Sequence, residues 1–297
     1  LDGDGAAELY VGNDFGARFT DHVLARLDGG LVDATDHLGF GYDAGGNGVD
    51  TMGWTVGDLD GDGRFDLATS AYEGFHSPVF LCRDPGAPCE DHGRAIGTSA
   101  VKDTFRWGNA SFDIDLDGDV DLVEAAGHLY LESEGEAAGL TVTHAQPPNV
   151  LLTSDGQLAR VVPAPDDAAA TPVSGRGLAV VDLDDDGHLD VVVAPSRGAP
   201  AVLRNVRAST GHYLRVRLEG RAPNPGGVGA LVLVDDGRAV QRRQRLAGEG
   251  FLGSFDPRVH VGLPTASPVD VEVRWPTGST SRLEGVSVDA EVTVSEP

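Results

Sequence analysis

Asp58-Leu59-Asp60-Gly61-Asp62-Gly63-Arg64-Phe65-Asp66-Leu67 places acids at its first, third, fifth and ninth positions and glycine at its sixth. The pattern returns at Asp113, Asp115, Asp117, Gly118 and Asp121, and again at Asp182, Asp184, Asp186, Gly187 and Asp190, each time followed by an apolar residue. A fourth copy opens the chain, where Asp2, Asp4, Gly5 and Glu8 fit the third, fifth, sixth and ninth positions and the first would precede Leu1. Asp and Gly are good turn formers, and one such turn would need no further account. Four copies, three with all four acids, crowd carboxylates together, and like charges at close range raise pKa values and oppose folding unless something neutralises them.

A hard cation does so. Ca2+ takes about six to eight oxygens in a flexible shell of carboxylates, carbonyls and waters, whereas Mg2+ demands stricter octahedral geometry and keeps its waters. In a tight turn, positions 1, 3 and 5 point inward, glycine at 6 permits the bend, position 7 offers its backbone carbonyl and position 9 closes the shell. The seventh residues are Ala6, Arg64, Asp119 and His188, a variety expected where only the backbone is used. The expected ligands are therefore Asp2, Asp4, Ala6 and Glu8; Asp58, Asp60, Asp62, Arg64 and Asp66; Asp113, Asp115, Asp117, Asp119 and Asp121; and Asp182, Asp184, Asp186, His188 and Asp190. The closing acid falls at position 9 rather than 12, and strand-forming residues follow instead of a helix, which separates these loops from an EF-hand.

At 297 residues and 40% hydrophobic content, the chain can hold one large or two smaller packed domains, and 41 Gly with 17 Pro fit short strands and turns. Its net charge of -25 lies wholly in residues 1–205, which carry 36 acids against 11 bases, while residues 206–297 balance 11 acids with 11 Arg. So acidic a surface repels nucleic acid and anionic membranes. Cys82 and Cys89 bracket a Pro/Gly loop, and their spacing predicts a disulfide rather than a reduced pair; zinc would need further ligands. This implies an oxidising setting, extracellular, periplasmic or at the cell surface. No apolar run reaches the roughly 18 residues of a membrane span, and no signal peptide is recognisable. A chain that opens inside a motif is expected to be a fragment, a processed product or part of something longer.

The loop centres Asp4, Asp62, Asp117 and Asp186 are spaced by 58, 55 and 69 residues, a period that signals a propeller or solenoid. Short apolar runs flank each loop, among them Leu67-Ala68-Thr69, Leu122-Val123 and Val191-Val192-Val193, and Gly53, Gly108 and Gly177 each precede the first Asp by five residues. Each period supplies about four strands, enough for one blade. With Asn13-Asp14-Phe15-Gly16, Met52-Gly53-Trp54 and Ala201-Val202-Leu203-Arg204-Asn205, the segment 1–205 resembles FG-GAP or VCBS-type calcium repeats, as in integrin alpha-chain propellers. The resemblance implies an all-β fold of about three and a half propeller blades from a ring of seven, the others lying upstream or coming from another chain.

From Val206 the pattern becomes strand alternation, as in His212-Tyr213-Leu214-Arg215-Val216-Arg217-Leu218, which predicts a separate β-sandwich or barrel-like module over 206–297. Asn224 to Ala230, Gly250 to Leu263 and Val271 to Gly278 resemble the ASPIC/UnbV domain. Repeats followed by this domain are the arrangement of the cartilage acidic protein family and its bacterial relatives, and Lys102, the only lysine, fits a GC-rich bacterial coding sequence. The resemblance implies a secreted, acidic, calcium-binding protein; members encoded in natural-product pathways offer no chemistry that transfers.

No nucleophile elbow, zincin helix, P-loop or dinucleotide fingerprint is present. Of the nine His, His128 and His260 merit inspection, with a structural role expected for both; Trp54, Trp107 and Trp275 are expected in packing. Arg238, Arg242, Arg243 and Arg245 read as a solvated strand face turned toward the acidic segment. The expected function is calcium-dependent binding, adhesion or assembly with a protein or glycan ligand. The alternatives are an enzyme with an axial site for natural-product tailoring or polysaccharide, and a structural subunit whose ring another chain completes.

Overall fold

The computed structural model describes residues 8–14, 20–27, 30–84, 86–207 and 209–297. Their secondary structure is mainly β, in six small sheets. In the acidic segment, β1 (Leu9–Val11), β2 (His22–Leu27) and β3 (Gly30–Asp33) form a three-stranded sheet. Next come β4 (Trp54–Gly57), β5 (Asp66–Thr69), β6 (Val79–Leu81) and β7 (Glu90–Asp91), then β8 (Arg106–Phe112), β9 (Asp121–Ala126), β10 (Asn149–Ser154) and β11 (Gln157–Arg160), two four-stranded antiparallel sheets. β12 (Gly175–Val181), β13 (Asp190–Pro195) and β14 (Ala201–Leu203) complete the series with three strands.

The sheets stack face to face in chain order, because successive sheets turn apolar faces to one another. Tyr10 and Val23 meet Leu67 and Phe80 between the first and second. Ala68 and Leu81 meet Leu122 and Leu151 between the second and third, and Ala110 and Val123 meet Leu178 and Val193 between the third and fourth. Two of the glycines five residues ahead of the loops let the first strands close up. A Cβ at Gly53 would stand 2.5 Å from the Trp107 carbonyl oxygen, and one at Gly108 would stand 2.9 Å from that of Arg176.

The C-terminal module is a sandwich of two sheets rather than a closed barrel. β15 (His212–Glu219) lies between β18 (Val259–Leu263), antiparallel, and β21 (Ala290–Ser295), parallel. β16 (Leu231–Asp235), β17 (Val240–Gln244), β19 (Val269–Arg274) and β20 (Thr280–Val286) form the facing antiparallel sheet. One core, including Leu214, Val216, Val232, Val261, Val273 and Trp275, joins the two.

Candidate metal centres

Each complete acidic loop is the turn between the first and second strands of its sheet: 58–66 joins β4 to β5, 113–121 joins β8 to β9, and 182–190 joins β12 to β13. The three turns are built alike. The fourth residue is left-handed in each, with φ of 74° at Gly61, 61° at Leu116 and 58° at Asp185. The first acid accepts a hydrogen bond through Oδ2 from the sixth residue's N–H: Asp58 from Gly63 at 2.9 Å, Asp113 from Gly118 at 2.8 Å and Asp182 from Gly187 at 3.0 Å. The fifth acid accepts from the seventh residue: Asp62 from Arg64 at 2.8 Å, Asp117 from Asp119 at 2.9 Å and Asp186 from His188 at 2.9 Å.

Carboxylate oxygens converge as a result. Those of Asp58, Asp60 and Asp62 lie within 4.8 Å of one another, as do those of Asp113, Asp115 and Asp121 and those of Asp182, Asp184 and Asp190. Asp66, Asp117 and Asp186 stand outside these triads. Oδ1 of Asp58, a residue only 9% exposed, is buried with no hydrogen-bond partner, and so is Oδ1 of Asp115. A buried carboxylate oxygen without a donor is costly, and convergent oxygens with orphaned lone pairs fit a hard divalent cation. Burial, then neighbouring acids, opposes ionisation in these loops: it raises the Asp58 pKa and lifts Asp113 to about 7 and Asp121 to about 8. Of the N-terminal copy, Asp2, Asp4 and Ala6 lie outside the described residues; Glu8 is half-buried just ahead of β1.

The ninth acid has a second task that its position in the motif does not announce. It staples its loop to the sheet's third strand by accepting two backbone N–H groups. Asp66 accepts from Leu59 at 2.8 Å and Cys82 at 2.9 Å, Asp121 from Ile114 at 2.8 Å and Thr153 at 2.7 Å, and Asp190 from Leu183 at 3.0 Å and Asn205 at 2.7 Å. Cys82 forms the expected disulfide with Cys89, fixing the chain that follows β6.

Arginines that the motif did not mark sit on the acids. Arg83 pairs with Asp60 at 2.9 Å, Arg207 with Asp115 at 3.2 Å, and Arg204 with Asp184 and, at 3.6 Å, Asp186. Arg215 of β15 bonds Asp182 at 2.8 Å. Arg243 is desolvated, not solvated as expected of the arginine group, because it is buried against the acidic segment, where Asp113 and Asp58 favour its charge. His260 donates from Nε2 to the Gly187 carbonyl at 2.8 Å, and burial pushes its pKa down to about 4, which keeps the ring neutral. The His128 ring accepts the Tyr130 N–H at 3.1 Å and packs on Phe105. Both histidines are thus held in structural contacts.

Fold and loops together define an all-β protein in which acidic turns with a hard-cation donor set are joined to a β-sandwich, and residues 220–297 match the family described as ASPIC and UnbV. No helix among the described residues is long and apolar enough to cross a membrane. The chain is similar to human cartilage acidic protein 1, 24% identical over 284 residues that cover 92% of this chain and 39% of that protein. It is 31% identical to mouse cartilage acidic protein 1 over 117 residues, 38% of this chain and 18% of the mouse protein. The matched chain therefore spans well under half the length of these relatives. Among solved structures, a putative exo-beta-1,3-galactanase from Bifidobacterium bifidum aligns at 10% identity over 82% of this chain and 73% of that one, with a TM-score of 0.33 that supports no inference.

Proposed function

We propose that this chain is a calcium-stabilised segment of an extracellular β-propeller, residues 1–205, carrying its C-terminal module over 206–297 and acting in binding or matrix-type assembly. The carrying observation is the pair of orphaned buried oxygens, Asp58 Oδ1 and Asp115 Oδ1, in two independently formed turns of one design. Asp58, Asp60, Asp62 and Asp66, with the Arg64 carbonyl, would hold one ion. Asp113, Asp115, Asp117 and Asp121, with the Asp119 carbonyl, would hold a second, and Asp182, Asp184, Asp186 and Asp190, with that of His188, a third. Each ion draws carboxylates together that otherwise repel, and so fixes the turn from which the next two strands are hung. Stacked sheets with their first strands adjacent are the arrangement that propeller blades adopt. The disulfide and the similarity to cartilage acidic protein 1 support an extracellular setting, where weak sites of this type meet enough calcium to fill. Titration calorimetry with CaCl2 on chelator-stripped protein tests the reading: saturable binding of about three ions is expected, and no binding at millimolar calcium would refute it.

A further inference from the structure

The C-terminal module touches the first acid of more than one loop, and on the same oxygen. Arg215 bonds Oδ2 of Asp182 at 2.8 Å, the oxygen that also accepts the Gly187 N–H. Oδ1 of Asp182 is left to the loop, where it accepts the Asp186 N–H at 3.2 Å. At the second loop the module presents bare backbone instead: a Cβ on Gly262 would stand 2.0 Å from Oδ2 of Asp113. Two further approaches support the contact. A Cβ on Gly211 would lie 1.9 Å from the Leu116 carbonyl oxygen, and the Ser209 hydroxyl donates to that of Asp115.

A second contact lies away from the acids. Residues 250–256 run as a strap across the first strands of three sheets: Gly250 donates to the Trp54 carbonyl at 2.6 Å, Phe251 packs on Trp107 at 5.4 Å between ring centroids, and Asp256 donates to the Val180 carbonyl at 2.9 Å. Gly253 is pressed so close that a Cβ would stand 1.9 Å from the Leu178 carbonyl oxygen.

We infer that the C-terminal module is a cation-dependent clamp: ion binding in the acidic loops and docking of residues 206–297 are one coupled equilibrium. This deepens, and rests on, the calcium reading above. The direction follows from the contacts. Gly262 fits only where Asp113 is held in the ordered turn, and an ion would hold it there against the repulsion of neighbouring acids such as Asp117, which otherwise loosens the seat. Arg215 does not oppose the ion strongly, because it takes the oxygen already turned toward Gly187; Arg207 on Asp115 and Arg243 beside Asp113 and Asp58 offset part of the gain, and the Gly262 seat sets the sign. Coupling of this kind is reciprocal: whatever ions do for docking, docking does for ion affinity by the same factor.

The test uses the whole chain with calcium as the probe. Hydrogen exchange of the Gly250 and Asp256 amides in the wild type, with calcium and with chelator, reads the strap directly. Calorimetry on Gly253→Ala then reads the reciprocal effect, since this change obstructs the strap against Leu178 without touching a loop acid. We expect both amides to exchange about fivefold or more faster in chelator, and the variant to bind calcium about fivefold or more weakly. Calcium binding to the wild type with unchanged strap exchange overturns the clamp while leaving the calcium reading intact, and so does unchanged affinity in the variant. Absence of calcium binding in the wild type overturns both.

Discussion

Removing Asp115 separates a ligand from a staple. Its Oδ1 is buried and unpartnered, and its ion pair is the half-buried one with Arg207 at 3.2 Å. With its arginine half in solvent, such a pair contributes about 1 kcal/mol, and truncating Asp115 also relieves repulsion from Asp117. In chelator, Asp115→Ala should therefore move the melting temperature by about 2 °C or less. With calcium at a hundredfold excess over Kd, one site contributes about 2.7 kcal/mol to the folded state. Losing it should lower the transition by roughly 5–10 °C in a chain of this size. Differential scanning fluorimetry of wild type and variant, each with calcium and with chelator, gives the four numbers needed. Equal losses in the two conditions would refute the reasoning, because they would place the role of Asp115 in the apoprotein and not at a cation.

Asp121→Asn keeps one acceptor oxygen and turns the other into an NH2 group facing the Ile114 or Thr153 N–H, so it should cost about 1–3 kcal/mol in urea titrations in chelator and more with calcium, where a ligand is lost as well. Glu249 lies against Thr55 and Val56 in a cavity of about 110 Å³, and burial raises its pKa from 4.5 to about 7. The folded form therefore holds a proton that the unfolded form releases, and stability contributed by that proton is lost as pH rises from about 4.5 through 7. Glu249→Gln, which mimics the protonated acid, should melt within error of wild type at pH 4.5 and on the order of 5 °C higher at pH 8 by calorimetry. Reducing the Cys82–Cys89 disulfide, or replacing both with Ser, should lower stability by about 2 kcal/mol in denaturant titrations.

The turns were legible because their shape is carried by fixed local spacing: acids at alternate positions and a glycine at the sixth force one turn, whatever surrounds it. The packing glycines were legible for a similar reason, since Gly53 and Gly108 have no side chain that could serve another purpose at a strand entrance. The stapling role of Asp66, Asp121 and Asp190 was not. Their second donors, Cys82, Thr153 and Asn205, stand 16, 32 and 15 residues further on, and no constant interval links them. The individual arginines on the acids were hidden in the same way, because Arg83, Arg204 and Arg207 follow strands at unmatched distances from the loops they reach. What did survive in the composition was the sum. Residues 1–205 carry the entire -25 and residues 206–297 none of it, and the structure turns that asymmetry into contact by laying Arg207 and Arg215 on Asp115 and Asp182. A charge boundary between two segments of one chain thus marks where they meet as well as where they divide, and it is strongest where the acidic partner has carboxylates its own fold cannot neutralise.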